Sequence, residues 1–211
     1  RARHAGHARE IRKVWFLRLV MSIGRLKPES CIVLICDIQE RFRNVIHKFE
    51  AVQVGASRIS QTAQLLEIPV IVTEQYPKGL GHTVAELEVS HAKVFEKTCF
   101  SMLSPDVQAN LVELNFTDVI IAGLEAHVCV QQTTLDLLEK GYNVHLCADA
   151  ISSQTLIDRT CGLRRAERAG AFISTTESIM MELIRSKDHP HFKAISTLLK
   201  EKRPTEALES V

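Results

Sequence analysis

The sequence predicts an α/β domain built on one parallel sheet with helices on both faces. Three observations carry this. Short apolar runs of the kind found in strands buried on both faces alternate with stretches of helical periodicity. No internal repeat, low-complexity block or interdomain linker interrupts the alternation. The 211 residues, 45% of them hydrophobic, suffice for one large core. Such an arrangement requires right-handed crossovers between strands.

Each element has its own justification. "CIVLICD" (31–37) is a continuous apolar run closed by an acid, as expected of a buried strand. A helix over roughly 52–67 places Val52, Ala56, Ile59, Ala63 and Leu66 on one side. "IPVIVTE" (68–74) is the next strand, with Pro69 at its start, where a missing N–H is tolerated. "QYPKGLG" (75–81) is a loop by its Pro and Gly content, and "AKVFEKTCF" (92–100) is a weaker strand. "SPDVQANLVEL" (104–114) opens a helix with Ser104 as N-cap and Pro105 at the first position.

"TDVIIAG" (117–123) is a further strand. The helix after it carries Val130, Thr133, Thr134, Leu137 and Leu138 at helical spacing and stops at Gly141. "NVHLCAD" (143–149), a helix within 154–169, "GAFIST" (170–175) and helices near 176–186 and 190–201 complete the pattern. The domain is placed at 21–203, followed by a polar tail, 204–211.

Composition excludes several classes. A net charge of +1 gives no global reason for a nucleic-acid or membrane partner, and no apolar run is long enough to span a bilayer. With 5% aromatics and no metal pair, a nuclease is a remote reading. The six cysteines form no C-x-x-C pair, which fits a reduced, cytoplasmic protein better than a disulfide framework. Residues 1–20 differ: six Arg or Lys stand against one acid, Glu10. This stretch reads as a leader, an upstream extension before Met21, or a mitochondrial presequence.

In open parallel sheets, ligands bind beyond the carboxyl ends of the strands, where the strand order reverses. The candidates there are Asp37, Glu74, Lys97, the 123–129 turn and Asp149. Asp37 is either a functional carboxylate or a cap. Lys97 is either a solvent-facing lysine or a cation that holds Asp37 and favours an ionised sulfur. Cys129, in or just before the first turn of a helix, is either a small core residue or a thiol activated by unpaired N–H groups and the helix dipole. His127 is either a base or a turn cap. G-x-S-x-G, G-x-G-x-x-G and Walker A sequences are all missing.

Taken together, Asp37 in "CDIQERF", Lys97 in "VFEKTCFS" and Cys129 in "AGLEAHVCVQQTTLDLLEKG" resemble the Asp–Lys–Cys set of the isochorismatase-like cysteine hydrolases. The order, the spacing (60 residues, then 32), the D-x-Q-x-x-F opening and "DAISS" (149–153) all match. The resemblance covers roughly 30–200. "TEQYPKGLG" and "KTCFSM" look closest to the eukaryotic isochorismatase domain-containing proteins, type 2 more than type 1. It implies a six-stranded, Rossmann-like three-layer αβα sandwich with Cys129 as nucleophile, Asp37 as acid/base and Lys97 as electrostatic partner. It implies an oxyanion hole from the N–H groups of Glu125 and Cys129, with a cis peptide before Glu125. Gln39, Phe42, Tyr76, Phe100 and His127 are candidate pocket-lining residues. A small-molecule substrate, no cofactor and a homo-oligomer are expected.

Departures narrow the expectation. The sequence holds no D-x-H, the metal motif of nicotinamidases, so no such zinc site is expected, and His82 alone does not make one. Glu125 and Ala126 replace the small residue and Thr or Ser usual in the amidases, which argues against anionic substrates. The first reading is hydrolysis of a small amide or related carbonyl compound through a thioester. Alternatives are an interaction or regulatory protein on a hydrolase scaffold, and hydrolysis of an enol ether without the cysteine.

Overall fold

The computed structural model describes residues 23–200 apart from position 115. Its strands are β1 (Cys31–Cys36), β2 (Val70–Gln75), β3 (Lys93–Lys97), β4 (Asp118–Leu124), β5 (Asn143–Ser152) and β6 (Phe172–Ser174). All pair in parallel, in the order β3-β2-β1-β4-β5-β6. Seven α-helices are present among the described residues: α1 (Phe49–Leu65), α2 (Pro77–Leu80), α3 (Pro105–Leu114), α4 (Gln131–Glu139), α5 (Leu156–Ala169), α6 (Thr176–Ile184) and α7 (Phe192–Leu198). The sheet grows from β1 outward to β3, then restarts at β4 on the other side of β1. The strand order therefore reverses between β1 and β4, and the crevice for a ligand opens there.

Two apolar layers sandwich the sheet. One joins Val33, Ile35, Val70 and Val72 to Val52 and Ile59 of α1, Ile179 and Leu183 of α6 and Ile195 of α7. The other joins Ile32, Leu34, Ile71 and Ile121 to Val107 and Leu111 of α3, Leu137 of α4 and Leu163 of α5. All six residues of β1 and all seven of β4 are buried, which is why both read as apolar runs, apart from Asp118 at the start of β4. No described helix is long and apolar enough to cross a membrane.

The order of strands and longer helices matches the expectation, and most ends shift by a few residues; 75–81, expected as a loop, holds the end of β2 and the short helix α2 (Pro77–Leu80). β5, expected over 143–149, runs on to Ser152. Leu146 pairs with Ile121 but Ile151 pairs with Gly123, so the strand bulges between them. The buried Arg159 of α5 fastens the bulge, donating from Nε to the Ile151 carbonyl (2.9 Å) and from Nη2 to that of Ala148 (2.6 Å). A bulge breaks the two-residue alternation, and the strand was expected to end at Asp149. Ser104 caps α3 as expected, its Oγ accepting from the Val107 N–H at 3.4 Å. The 1–20 segment and the 204–211 tail lie outside the described residues.

Candidate active site

Asp37 follows the last residue of β1 and takes a left-handed backbone, φ +51°. Aspartate tolerates this conformation better than most residues. Its N–H donates to the Thr73 carbonyl of β2 (3.1 Å), and its own carbonyl accepts from the Gln39 N–H (2.9 Å). The chain thus turns sharply over the sheet edge at the switch point.

Lys97 ends β3, in register with Gln75 of β2. A lysine there ordinarily faces solvent, yet this one turns inward. Its Nζ lies 2.7 Å from Asp37 Oδ2, and each side chain is only 1% exposed. A buried ion pair survives only when further hydrogen bonds offset its desolvation. Lys97 Nζ donates to Gln75 Oε1 (2.7 Å) and to the carbonyls of Phe100 (3.0 Å) and Cys99 (3.2 Å). Asp37 Oδ1 accepts from Thr73 Oγ1 at 2.8 Å.

Cys129 lies in a five-residue π-type turn, Ala126–Val130, between β4 and α4. Short π segments are rare and cluster at functional sites. The sequence placed the thiol in or just before the first helical turn; it lies just before it, in a wider turn than expected. The Glu125 carbonyl accepts from the N–H groups of Val128 (3.1 Å) and Val130 (3.2 Å), and the Cys129 N–H stands outside that pattern. The Leu124–Glu125 peptide is cis. Cys129 Sγ lies 3.7 Å from Lys97 Nζ. Thr133 Oγ1 ties the turn to the segment after β3, donating to the Cys129 carbonyl (2.6 Å) and accepting from the Met102 N–H (2.8 Å).

Asp37, Lys97 and Cys129, far apart in the chain, therefore converge. A second thiol joins them: Cys36 Sγ donates to Asp37 Oδ2 at 3.5 Å. The two sulfurs and a carboxylate oxygen of Asp37 lie within 4.8 Å of one another. These are donors a soft metal ion would accept, but the Lys97 ammonium already stands among them as the cation. Burial pulls the Lys97 ammonium down, yet the Asp37 carboxylate 2.7 Å away outweighs it, so its pKa lies above the ordinary lysine value. Burial, with the hydrogen bond to Cys129 and the charge of Asp37, pushes the Cys36 thiol well up.

A cleft of about 480 Å³ opens beside this cluster, walled by Tyr76, Pro77, Lys78, Glu96, Lys97, Thr98, Cys99, Ser104 and Pro105. Lys97 belongs to both cleft and cluster. Of the other expected lining residues, only Tyr76 is among these walls. Gln39 is buried and works as a clamp: its amide donates to the carbonyls of Gln75 (3.0 Å) and Gly81 (2.6 Å) and accepts from the Gln75 N–H (2.7 Å). Phe42 packs against the first apolar layer. Phe100 is exposed, and its carbonyl serves Lys97. His127 Nδ1 lies 3.0 Å from Ser153 Oγ, and Glu125 Oε2 accepts from the Gln154 N–H (3.1 Å).

The remaining strand-end acids have other work. Glu74 accepts from the Thr83 N–H (2.7 Å) and hydroxyl (2.8 Å) and meets His82 Nδ1 at 2.8 Å. Asp149 receives the N–H (2.7 Å) and hydroxyl (2.8 Å) of Thr176 at the start of α6. Sequence reasoning overlooked Thr73, Gln75, Cys36 and Thr133. The signal for the first two was the pleat: Thr73 and Gln75 share the Ile71 face of β2, and the charged Glu74 between them points the other way.

Sheet order, switch point and a buried carboxylate, ammonium and thiol define a Rossmann-like α/β protein with a site between β1 and β4. The isochorismatase domain model matches residues 31–178, and the chain belongs to that family. The chain is 44% identical over 193 residues to isochorismatase domain-containing protein 1 of Danio rerio, covering 90% of this chain and 68% of the relative. It is 43% identical over 188 residues to isochorismatase domain-containing protein 2 of Homo sapiens, covering 89% and 91%. The identities are about equal, but the chain spans 91% of the type 2 relative against 68% of the type 1 relative. Among solved structures, the MAR1 ribonuclease of Caenorhabditis elegans superposes with a TM-score of 0.83 at 41% identity, covering 89% of this chain and 98% of that one.

Proposed function

We propose that this chain is a thiol hydrolase acting on a small amide or related carbonyl compound, with Cys129 as nucleophile, Asp37 as proton carrier and Lys97 as electrostatic partner. The observation that carries it is one ammonium, Lys97 Nζ, standing 2.7 Å from Asp37 Oδ2 and 3.7 Å from Cys129 Sγ. That ammonium keeps its proton, because its pKa lies above the ordinary lysine value. It stands within reach of both groups, so it remains the counter-ion while the sulfur passes its proton to Asp37.

The Cys129 thiolate then attacks the carbonyl carbon, and the oxyanion is received by the N–H groups of Glu125 and Cys129. Collapse breaks the carbon–nitrogen bond, the amine leaves with the proton held by Asp37, and a thioester remains. Water, giving a proton back to Asp37, cleaves the thioester and restores the thiol. The test is a panel of small amides with wild type and Cys129→Ala. A loss of about a thousand-fold or more and a covalent acyl adduct on Cys129 in wild type are expected. Amide turnover that survives the substitution removes the nucleophile.

A second reading comes from the ribonuclease name of the Caenorhabditis elegans relative. It predicts cleavage of RNA that Cys129→Ala leaves intact and Asp37→Asn abolishes, measured on a labelled single strand.

A further inference from the structure

The hydrolase reading leaves one nucleophilic side chain at the site without a role. Cys36 ends β1, is fully buried, and its sulfur lies within 4.8 Å of the Cys129 sulfur. Its S–H donates to Asp37 Oδ2, the carboxylate that also serves Cys129. Cys31 and Cys147 are buried as well, but they belong to the other apolar layer, across the sheet. Cys36 and Cys129 share one layer.

We propose that Cys36 is a resolving thiol for Cys129, and that the pair forms a reversible disulfide when a hydroperoxide reaches the site. In the first step the Cys129 thiolate attacks one peroxide oxygen. The O–O bond breaks, an S–O bond forms, and the departing alkoxide or hydroxide takes a proton, leaving Cys129 as a sulfenic acid. In the second, Cys36 gives its proton to Asp37 and its sulfur attacks the Cys129 sulfur. The S–S bond forms as the S–O bond breaks, and hydroxide leaves with that proton as water. Two thiols are oxidised and one peroxide is reduced.

The geometry supports each part. Cys129 is only 7% exposed, so the oxidant must be small, and its sulfenic acid is screened from bulky thiols. Cys36 is the neighbouring sulfur, and a disulfide needs the two atoms to close to about 2 Å. Cys129 sits in a short turn rather than within a regular helix, and rotation about its Cα–Cβ bond moves the sulfur without moving the sheet. Cys36 remains a thiol at rest because burial holds its proton on. Oxidation would remove the Cys129 nucleophile and shield it from higher oxidation states.

The proposal shares with the hydrolase reading only the ionisation of Cys129, and its test needs no amide. Full-length wild type is treated with stoichiometric hydrogen peroxide and mapped by cleavage at Glu, which places Cys99 and Cys129 in different peptides, with fragmentation that separates Cys31 from Cys36. A chain lighter by two hydrogens, with Cys36 linked to Cys129 and both released by dithiothreitol, is expected. In Cys36→Ala, dimedone should trap Cys129 sulfenic acid, and irreversible sulfinic acid should accumulate several-fold faster. The proposal is overturned if wild type gains sulfinic acid at Cys129 without a linked peptide, if Cys129 pairs with Cys99, or if peroxide leaves Cys129 unchanged. Should Cys36→Ala fail to fold, the wild-type map decides alone. A disulfide in a chain that turns over no amide would retain this inference and count against the hydrolase.

Discussion

The Lys97 ammonium and the Asp37 carboxylate meet at 2.7 Å with both side chains sealed from solvent. Removing one partner of such a pair strands the other charge in a medium that cannot solvate it. Lys97→Met should therefore lower unfolding free energy by about 3–5 kcal/mol. The double variant Asp37→Asn/Lys97→Met should recover a large part of that loss, because no buried charge is left. Urea unfolding of the four proteins checks this. Strictly additive losses would mean that the two groups are not coupled. Iodoacetamide labelling of Cys129, read at that peptide, should slow in Lys97→Met, which removes the cation beside the sulfur.

Thr73 and Gln75 should behave as positioning residues. Thr73 Oγ1 donates to Asp37 Oδ1 at 2.8 Å, and Gln75 Oε1 accepts from Lys97 Nζ at 2.7 Å. Thr73→Val keeps the shape and removes the donor, leaving a buried carboxylate oxygen short of a partner, at about 1–3 kcal/mol. Thr73→Ser should restore both stability and the Cys129 labelling rate. A merely space-filling Thr73 would give the opposite pattern, with valine tolerated and serine destabilising.

How much of this was legible depended on whether a residue's role was visible along the chain. The apolar runs of β1 and β4 are buried on both faces, so they announced themselves without alternation. Asp37, Lys97 and Cys129 stood out because strand ends at a switch point are where chemistry sits, and because their motifs matched a family. Thr73 and Gln75 did not stand out, since uncharged residues flanking a glutamate carry no signal until the pleat is known. Cys36, inside the apolar run 31–37, carries no mark that separates it from a buried core residue. Its nearness to Cys129 arises only from the pairing of β1 with β4, where Cys36 lies opposite Gly123. The π-type turn was invisible because 126–130 carries no mark separating it from α-helix.

Acid should weaken the fold through Asp118 at the start of β4. Burial pushes its carboxyl up, but the His145 ring 3.7 Å away and hydrogen bonds from Thr117, Asn143 and Ser30 outweigh this and bring it from 3.8 to about 2. Because the folded value is the lower, the stabilisation is present above the ordinary value and is lost as pH falls through about 2. The shift corresponds to about 2 kcal/mol. Urea unfolding of wild type at pH values from neutral to strongly acidic should show this loss. Asp118→Asn should be less stable at neutral pH and should lack that part of the acid dependence. An unchanged acid slope in the variant would assign the loss to other carboxylates.

Gly123, beside the site, should be among the least replaceable residues of the chain. Its φ is +124°, and a Cβ there would lie 2.1 Å from the Cys36 carbonyl oxygen and 2.7 Å from the Cys36 nitrogen. Both obstacles are backbone of the central strand, which cannot move aside without breaking the β1–β4 ladder. Gly123→Ala should therefore destabilise by about 4 kcal/mol or more. Gly141, after α4, is the control: its φ is also positive, at +89°, but nothing lies within 4 Å of the added carbon. Gly141→Ala should lose only the conformational preference, about 1–2 kcal/mol. Thermal unfolding of the two variants separates steric conflict from backbone preference. Equal melting points would mean that β1 and β4 are free to part at this pair, and the close approach of Cys36 to the Cys129 turn would lose its support.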